Sequence, residues 1–528
     1  MLNNILSLVG RLSGWIVGLL TILVAVVSLA AALHGMPGNP NSSMMRQEQW
    51  TTAGPFELSS ERGHYALTYS LLVDKSYHFS PELAAFVSPD AAIYQNKFVS
   101  LFPPGLSYIA MPGFKLGEKY GYAQVGTFAV ISLFALLNVI LINILSRRLG
   151  AHPAAGYIAS LIFLVATPAL AYSGTMYQHH TTSFLLMSCL IILSYPKNWL
   201  TTAIIWFFCA IAVTVDSPNF LFFAPLAVYT FMREFQIERS NKNYKLAFKP
   251  LHLITIFAAL LPVLLFARFN KESYGNPYKL GGTAPRATAI QISYDQQTGV
   301  PVINEYEEEK SVNNKKSAVQ FFKTRNALNG VYTIFFAIDR GIIYFTPVIL
   351  LSLLGIGYVL ARSKVIGMLM LSICAIVVVL YCLWGDPYGG WAFGSRYLIP
   401  AYAMLAPFLA LAITRHRRHW WFILLFLIAA FYSIAINTIG AVTSNANPTR
   451  HEIISSSNPK GLPFTQGYLH NIDQLNASAS KSFIYRTYLK PYIPLSYFAL
   501  IVGGTVAIVI LLNLVWVVAA KVEIKKEI

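Results

Sequence analysis

Charge is what this 528-residue sequence has least of. Only 12% of its residues are Asp, Glu, Lys or Arg, while 55% are hydrophobic. A soluble globular domain carries about 25% charged residues. With a mean hydropathy of +0.54, the deficit points to an integral membrane protein. Cysteine is also scarce. Cys189, Cys209, Cys374 and Cys382 all fall in apolar runs and form no CxxC pair, which excludes a disulfide framework and a thiolate metal site. There is no P-loop, no GxGxxG opening a helix after a strand, no HExxH and no GxSxG elbow. No internal repeat and no low-complexity tract interrupts the chain. A nucleotide-dependent cytoplasmic active site therefore has no motif to sit on.

The chain does have long apolar runs. A membrane-spanning helix needs roughly 20 mostly apolar residues. Stretches of that kind lie near 14–34, 122–146, 153–173, 181–195, 199–215, 218–232, 251–268, 342–361, 365–384, 398–414, 420–440 and 494–520. The fold class expected is an all-α polytopic membrane protein of about twelve spans. The first run is too long for a signal-peptide core and reads as a retained helix. The net charge of +17 reads as topology rather than as affinity for nucleic acid. With the N-terminus inside, the short inner connections hold 17 of the 39 Lys and Arg but only four of the 22 acids. That is the positive-inside pattern.

This topology leaves three long outer segments, 35–121, 269–341 and 441–493, around a membrane core of 1–440 and a last span with a basic tail at 494–528. The inner connection 233–250 is basic and expected at the interface. "EYEEEK" (305–310) and the following "NNKK" read as a solvated surface. "HYALTYSLLVDKSY" has helical apolar spacing and is expected to lie at the interface. Pro103, Pro104 and Gly105 then break the chain before a short apolar helix, so this segment is expected to roof a cavity over the bundle.

The ionisable residues at membrane edges all fall on the outer side under this topology. They are Glu61, Asp74 and Asp90; His179 and His180; Asp216; Asp339 and Arg340; and Asp386 and Arg396. Charges beside hydrocarbon are costly and usually mark a functional cavity. Each also has a plainer reading. Asp339–Arg340 reads as a local pair, His179–His180 as interface residues, Asp216 before Ser217-Pro218 as a helix N-cap and Asp74 as a solvated side chain. Arg396 stands apart. In "WGDPYGGWAFGSRYLIP" (384–400) it sits at the mouth of a span beside Trp391, Phe393 and Tyr397, where a guanidinium can grip phosphate bidentately.

Several of these segments resemble the C-type glycosyltransferases, polytopic membrane enzymes that take a sugar from a polyprenyl-phosphate carrier. "SSERGHYALTYSLL" (59–72) is similar to their first outer loop, which often carries an acid–acid–x–x–Tyr signature. Glu61 takes the leading acid and Tyr65 the tyrosine, with Arg62 in place of the second acid. "FVSLFPPGLSYIAMPGFKLG", "SGTMYQHHTTSF", "FNKESYGNPYKLGG", "FAIDRGIIYFTPVILL" and "YGGWAFGSRYLIP" are similar, in this order, to segments of a bacterial branch. Relatives often show Arg before Pro where this chain has Asp216-Ser217-Pro218. The resemblance covers most of residues 1–410, and 441–493 lies outside it.

The resemblance implies an inverting transfer to an acceptor hydroxyl at the outer face of a bacterial cytoplasmic membrane. Glu61 is the first expectation for the base and Asp90 the second. Arg396 and Arg340, assisted by His179 or His180, would hold the leaving phosphate. Tyr65, Asp74, Asp216, Asp386 and Tyr397 would support the site. No metal cluster is visible, although a divalent cation would be compatible with the chemistry. The partners implied are a polyprenyl-phosphate sugar, a lipid, glycan or protein acceptor, and the bilayer, with no nucleic acid. The alternatives are a flippase for lipid-linked sugars, a ligase of lipid-linked glycans on the same scaffold, or a non-catalytic envelope-binding protein.

Overall fold

The computed structural model of the chain describes residues 2–240, 243–248, 254–308, 322–450, 453 and 466–519. Every apolar run expected to span forms a helix or part of one. By length and composition, seven helical stretches can cross a bilayer: Gly14–Ala32, Ala123–Arg148, Ile254–Tyr274, Lys364–Leu383, Arg396–His416, Trp420–Val442 and Leu495–Ala519. The other five are shorter, at Pro153–Val165, His179–Leu193, Trp199–Val215, Asn219–Met232 and Pro347–Arg362. The chain is thus a multi-pass membrane protein, with seven helices of full spanning length among the described residues.

In chain order the helices used below are α1 (Leu2–Ala32), α2 (Ser59–Tyr69), α3 (Pro81–Val87), α4 (Gly105–Lys119), α5 (Ala123–Arg148), α6 (Pro153–Val165), α7 (His179–Leu193), α8 (Trp199–Val215), α9 (Asn219–Met232), α10 (Leu260–Tyr274), α11 (Ala327–Phe335), α12 (Ile356–Arg362), α13 (Lys364–Leu383), α14 (Ile399–His416), α15 (Trp420–Val442), α16 (Leu469–Asn476) and α17 (Leu495–Ala519). α14 is the hub. Its most apolar window is 83% buried, against 22% for the stretch containing α10, which faces outward. Five alanines along α14 let α5, α6, α7 and α13 pack closely around it. α4 and α5 meet through glycine. A Cβ on Gly126 would fall 2.4 Å from the Gly113 carbonyl oxygen and 2.8 Å from Gly117 Cα, so the two backbones touch where side chains are missing.

The all-α expectation is corrected where the long connections fold. β1 (His78–Phe79), β2 (Ala91–Tyr94), β3 (Lys97–Ser100), β6 (Arg286–Tyr294) and β7 (Pro301–Glu308) make an antiparallel sheet in the order β1-β3-β2-β6-β7. β4 (Phe235–Ser240) and β5 (Asn243–Phe248) form a separate hairpin within the basic connection. β2 and β3 are joined by Gln95-Asn96, both at positive φ (48° and 59°), the two-residue turn whose twist matches a hairpin. Strands of two to four residues leave too little alternation for periodicity to detect. The sheet joins segment 35–121 to segment 269–341, with Ala91 opposite Ala287 and Ala92 opposite Arg286.

The first half of the amphipathic segment expected at the interface, residues 64–70, is instead a core element, while Val73, Asp74 and Lys75 are exposed. Nearly all of α2 is buried, with Tyr65 at 0% and His64 at 2% exposure. Phe56, Tyr65, Phe86, Phe114 and Phe128 pack around it in tilted and edge-to-face pairs. The Pro-Pro-Gly break does start a helix: α4 begins at Gly105, with Pro104 as its cap residue. The expected solvated run holds for Glu305, Glu307 and Glu308, which are exposed on β7, while 309–321 lies outside the described residues.

Candidate active site

A cavity of about 800 Å³ opens where these elements meet. Segment 35–121 contributes Leu58, Ser59, Asp90 and Phe102. The start of α7 contributes Tyr177, Gln178 and His179, and the turn after α8 contributes Asp216 and Pro218. The loop between α13 and α14 contributes Trp384, Asp386, Trp391, Arg396 and Tyr397. Arg286 from β6, Lys323 and Tyr381 complete the wall.

Arg396 is the unusual group here. It is only 8% exposed. Its Nη2 donates to the Gly389 carbonyl at 2.8 Å. Nε and Nη1 are buried with no hydrogen-bond partner among the described residues. The guanidinium carbon lies 4.9 Å from the Tyr177 ring centroid and 5.3 Å from that of Tyr397. Each unmet buried donor costs about 1–3 kcal/mol, and more on a charged group. The two rings hold the charge in place, and the Tyr177 and Tyr397 hydroxyls also lie close enough to the guanidinium to act on it as hydrogen-bond partners. Tyr397 is fixed in turn by a parallel stack on Tyr381, 4.2 Å between centroids at 1°. His179 stacks on Tyr177 and meets Tyr397 edge-on, and its Nε2 is also buried without a partner among the described residues.

Three carboxylates line the same cavity. Asp90 Oδ2 accepts from Ser59 Oγ at 2.6 Å, and Oδ1 lies 3.7 Å from Arg286 Nη1. The β2–β6 register makes that ion pair, since Asp90 immediately precedes β2 and Arg286 opens β6. Asp216 accepts from Gln178 Nε2 at 2.9 Å. The expectation of an N-cap there is corrected: Pro218 is the cap residue of α9 and no side chain caps it, so the Asp216 carboxylate turns to the cavity instead. Burial raises its pKa to about 6, although Gln178, the Ser217 N–H and the Arg396 charge pull the other way. Asp386 folds its own loop, accepting from the N–H groups of Tyr388 (3.1 Å) and Gly390 (2.8 Å).

Other expected site residues lie elsewhere. Arg340 does not line the cavity. Its Nε donates to Tyr388 O at 3.1 Å, its Nη1 to Asp339 O at 2.8 Å, and its Nη2 to Gly390 O at 3.0 Å and Asn447 O at 2.9 Å. It clamps the back of the 386–391 loop. Its neighbour Asp339 accepts from Arg450 N through Oδ2 at 3.1 Å, so the two residues are separate anchors rather than an exposed pair. His180 is fully buried in the bundle, its Nε2 2.7 Å from Ala169 O and its ring edge-on to Phe163. Tyr65 is core, and Asp74 is exposed beyond the end of α2.

Glu61 lies behind the wall at 1% exposure, and its Oε1 accepts from Leu58 N at 2.9 Å. Burial lifts its pKa to about 8, only partly opposed by the Leu58 N–H, so it holds its proton at neutral pH. No group of three or more His, Cys, Asp or Glu suited to a metal ion occurs among the described residues.

Sequence reasoning missed Tyr177, Tyr381, Arg286, Lys323, Trp384 and Glu57. Tyr177 was within reach, because it directly precedes Gln178-His179. Arg286 was not, because only strand register carries it to Asp90. Glu57 sits in a second cavity beside the first and is tied to the far segment. It accepts from Ser444 Oγ (2.6 Å) and Asn445 N (3.1 Å) and pairs with Lys481 (3.4 Å).

No known family model matches the chain, and no curated protein does. Among solved structures it is similar to ArnT from Cupriavidus metallidurans, in the apo state and bound to undecaprenyl phosphate. In both comparisons the identity is 12%, the TM-score is 0.46 and 96% of this chain is covered, with 78% and 76% of the respective ArnT chains. Likeness at this distance leaves the chemistry to the chain's own residues.

Proposed function

We propose that the chain is a membrane glycosyltransferase. In this reading it transfers a sugar from a polyprenyl-phosphate carrier to an acceptor hydroxyl, with inversion, in the first cavity. The observation that carries the reading is Arg396, a buried cation at the mouth of a span with two donor groups unspent. A phosphate oxygen pair can be met by one of these groups together with the second N–H of Nη2, the arrangement in which a guanidinium binds bidentately. The carrier brings its phosphate to the edge of the hydrocarbon, where Arg396 stands. The basic short connections support placing this face outside the cytoplasm.

Asp90 is the best-placed base. Its carboxylate lines the cavity, and Ser59 and Arg286 orient it. Glu61 is set back and protonated to about pH 8, which suits it to shaping the wall. In the reaction Asp90 takes the proton of the acceptor hydroxyl as its oxygen forms the new bond to the anomeric carbon. The bond from that carbon to the phosphate oxygen breaks, and the phosphate departs with the electron pair. Arg396 meets the developing charge. A preorganised donor of this kind contributes about 3–4 kcal/mol to the barrier.

The test is donor consumption by the purified chain over a panel of polyprenyl-phosphate sugars, followed by mass spectrometry with acceptors offered. Turnover in wild type that collapses in Asp90→Asn and Arg396→Ala supports the reading. Turnover lost in Glu61→Gln but kept in Asp90→Asn would move the base. Donor bound but never consumed would favour transport or binding.

A further inference from the structure

Beside the first cavity lies a second, of about 730 Å³, that no step above uses. The two share Leu58 and Trp391 in their walls. Its far side is built by residues 470–490. Its charge balance differs from that of the first. Among the described residues Glu57 is the one acid in its lining, and it is committed to Ser444, Asn445 and Lys481. Lys481 is likewise spoken for, since Nζ also donates to Thr52 O at 2.5 Å. Arg486 and Lys490 remain. Arg486 is half-buried, and its Nη1 is buried with no hydrogen-bond partner among the described residues. Lys490 stands exposed at the rim. Among the described residues the lining thus sets one acid, Glu57, against three cations, Lys481, Arg486 and Lys490, with His470 and Gln474 alongside. A cavity of this balance attracts an anion, and a fixed guanidinium orients it.

We propose that this second cavity seats the acceptor through a phosphate-like anionic group held by Arg486 and Lys490. The acceptor's hydroxyl then reaches past Trp391 and Leu58 to Asp90. The assignment of the occupant as an acceptor rests on the transferase reading, whereas the anion site rests on the cavity itself. The occupant's phosphate is either lipid-borne or soluble, and the chemistry that recognises it is the same.

The experiment uses the full chain in detergent, in an Arg396→Gln background that disables the first cavity's anion grip. Pyrophosphate and dihexanoyl phosphatidate are titrated by calorimetry, with dihexanoyl phosphatidylcholine as the uncharged-net control. Saturable binding of at least one anion is expected. It should weaken at least tenfold with Arg486→Gln plus Lys490→Gln and largely return with Arg486→Lys alone. Phosphatidate binding more tightly than pyrophosphate assigns a lipid-borne phosphate, and the reverse assigns a soluble one. No anion binding in the Arg396→Gln background, or binding indifferent to Arg486 and Lys490, overturns the site. Wild-type donor consumption is read separately. Its absence with the Arg486-dependent binding intact overturns the transfer and leaves the anion site standing.

Discussion

Arg340 and Arg396 approach the same glycine-rich loop from two sides. Both are buried, at 1% and 8% exposure, and both bond carbonyls of residues 388–390. Arg340 makes four hydrogen bonds to backbone carbonyls and is not among the residues lining the first cavity. Arg396 makes one and leaves Nε and Nη1 unmet beside a cavity of about 800 Å³. In the sequence both precede apolar runs, 342–361 and 398–414, and Arg396 already stands apart by its aromatic neighbours. Geometry separates them: a buried cation whose donors are spent holds structure, and one whose donors are unspent awaits a ligand. Burial of charge alone does not distinguish these cases.

The largest effect expected is on folding. Arg340→Gln strands the carbonyls of Tyr388 and Gly390, takes one of two donors from that of Asn447, and should lower stability by several kcal/mol, taking about 1–3 kcal/mol for each buried group left unpaired. A thermal melt in detergent, or simple failure to recover folded protein, reads this. Arg396→Gln should behave oppositely. Its melting temperature stays at or above wild type, because a half-satisfied charge is removed, while donor turnover falls about 10²–10³-fold. A matched loss of stability in both variants would erase the distinction between the two arginines.

Asp90→Asn keeps the shape of the side chain and its bond to Ser59 but cannot take a proton. Turnover should fall about 10²–10⁴-fold with donor affinity changed little. The smallest effect concerns Glu61. Its folded pKa, raised to about 8, stands above the unfolded value of about 4.3. Below that lower value both states are protonated, and the group's stability contribution is fully present. As pH rises toward 8 the unfolded state sheds its proton first, so this contribution is lost progressively and levels off beyond about pH 8. Glu61→Gln removes the ionisation, so its melting temperature should fall less than wild type's between pH 5 and 9, with turnover within a few-fold. Identical pH slopes in the two proteins would contradict the buried, protonated assignment.

Much of this arrangement was legible in the order of residues. Apolar runs marked every spanning stretch and short apolar helix, because a bilayer demands a long, uncharged signature. Arg396 was legible because a charge beside hydrocarbon needs a reason. What could not be read was what crosses between segments. The strands at 91–94 and 97–100 are too short to show a period, yet β2–β6 pairing is what delivers Arg286 to Asp90. Glu57 finds Ser444 and Asn445 nearly 400 positions away, which no local pattern encodes. The family resemblance puts Glu61 first as the base, whereas its burial is a property of the aromatic cluster packed around α2.

The central claim is that Arg396 is the phosphate grip, and direct binding tests it. Polyprenyl phosphate would be titrated into the full chain in detergent and followed by native mass spectrometry, comparing wild type, Arg396→Gln and Arg396→Lys. The account predicts at least tenfold weaker binding in Arg396→Gln and an intermediate loss in Arg396→Lys, which keeps the charge and loses the fork. Equal affinity across the three proteins, all folded, would contradict it.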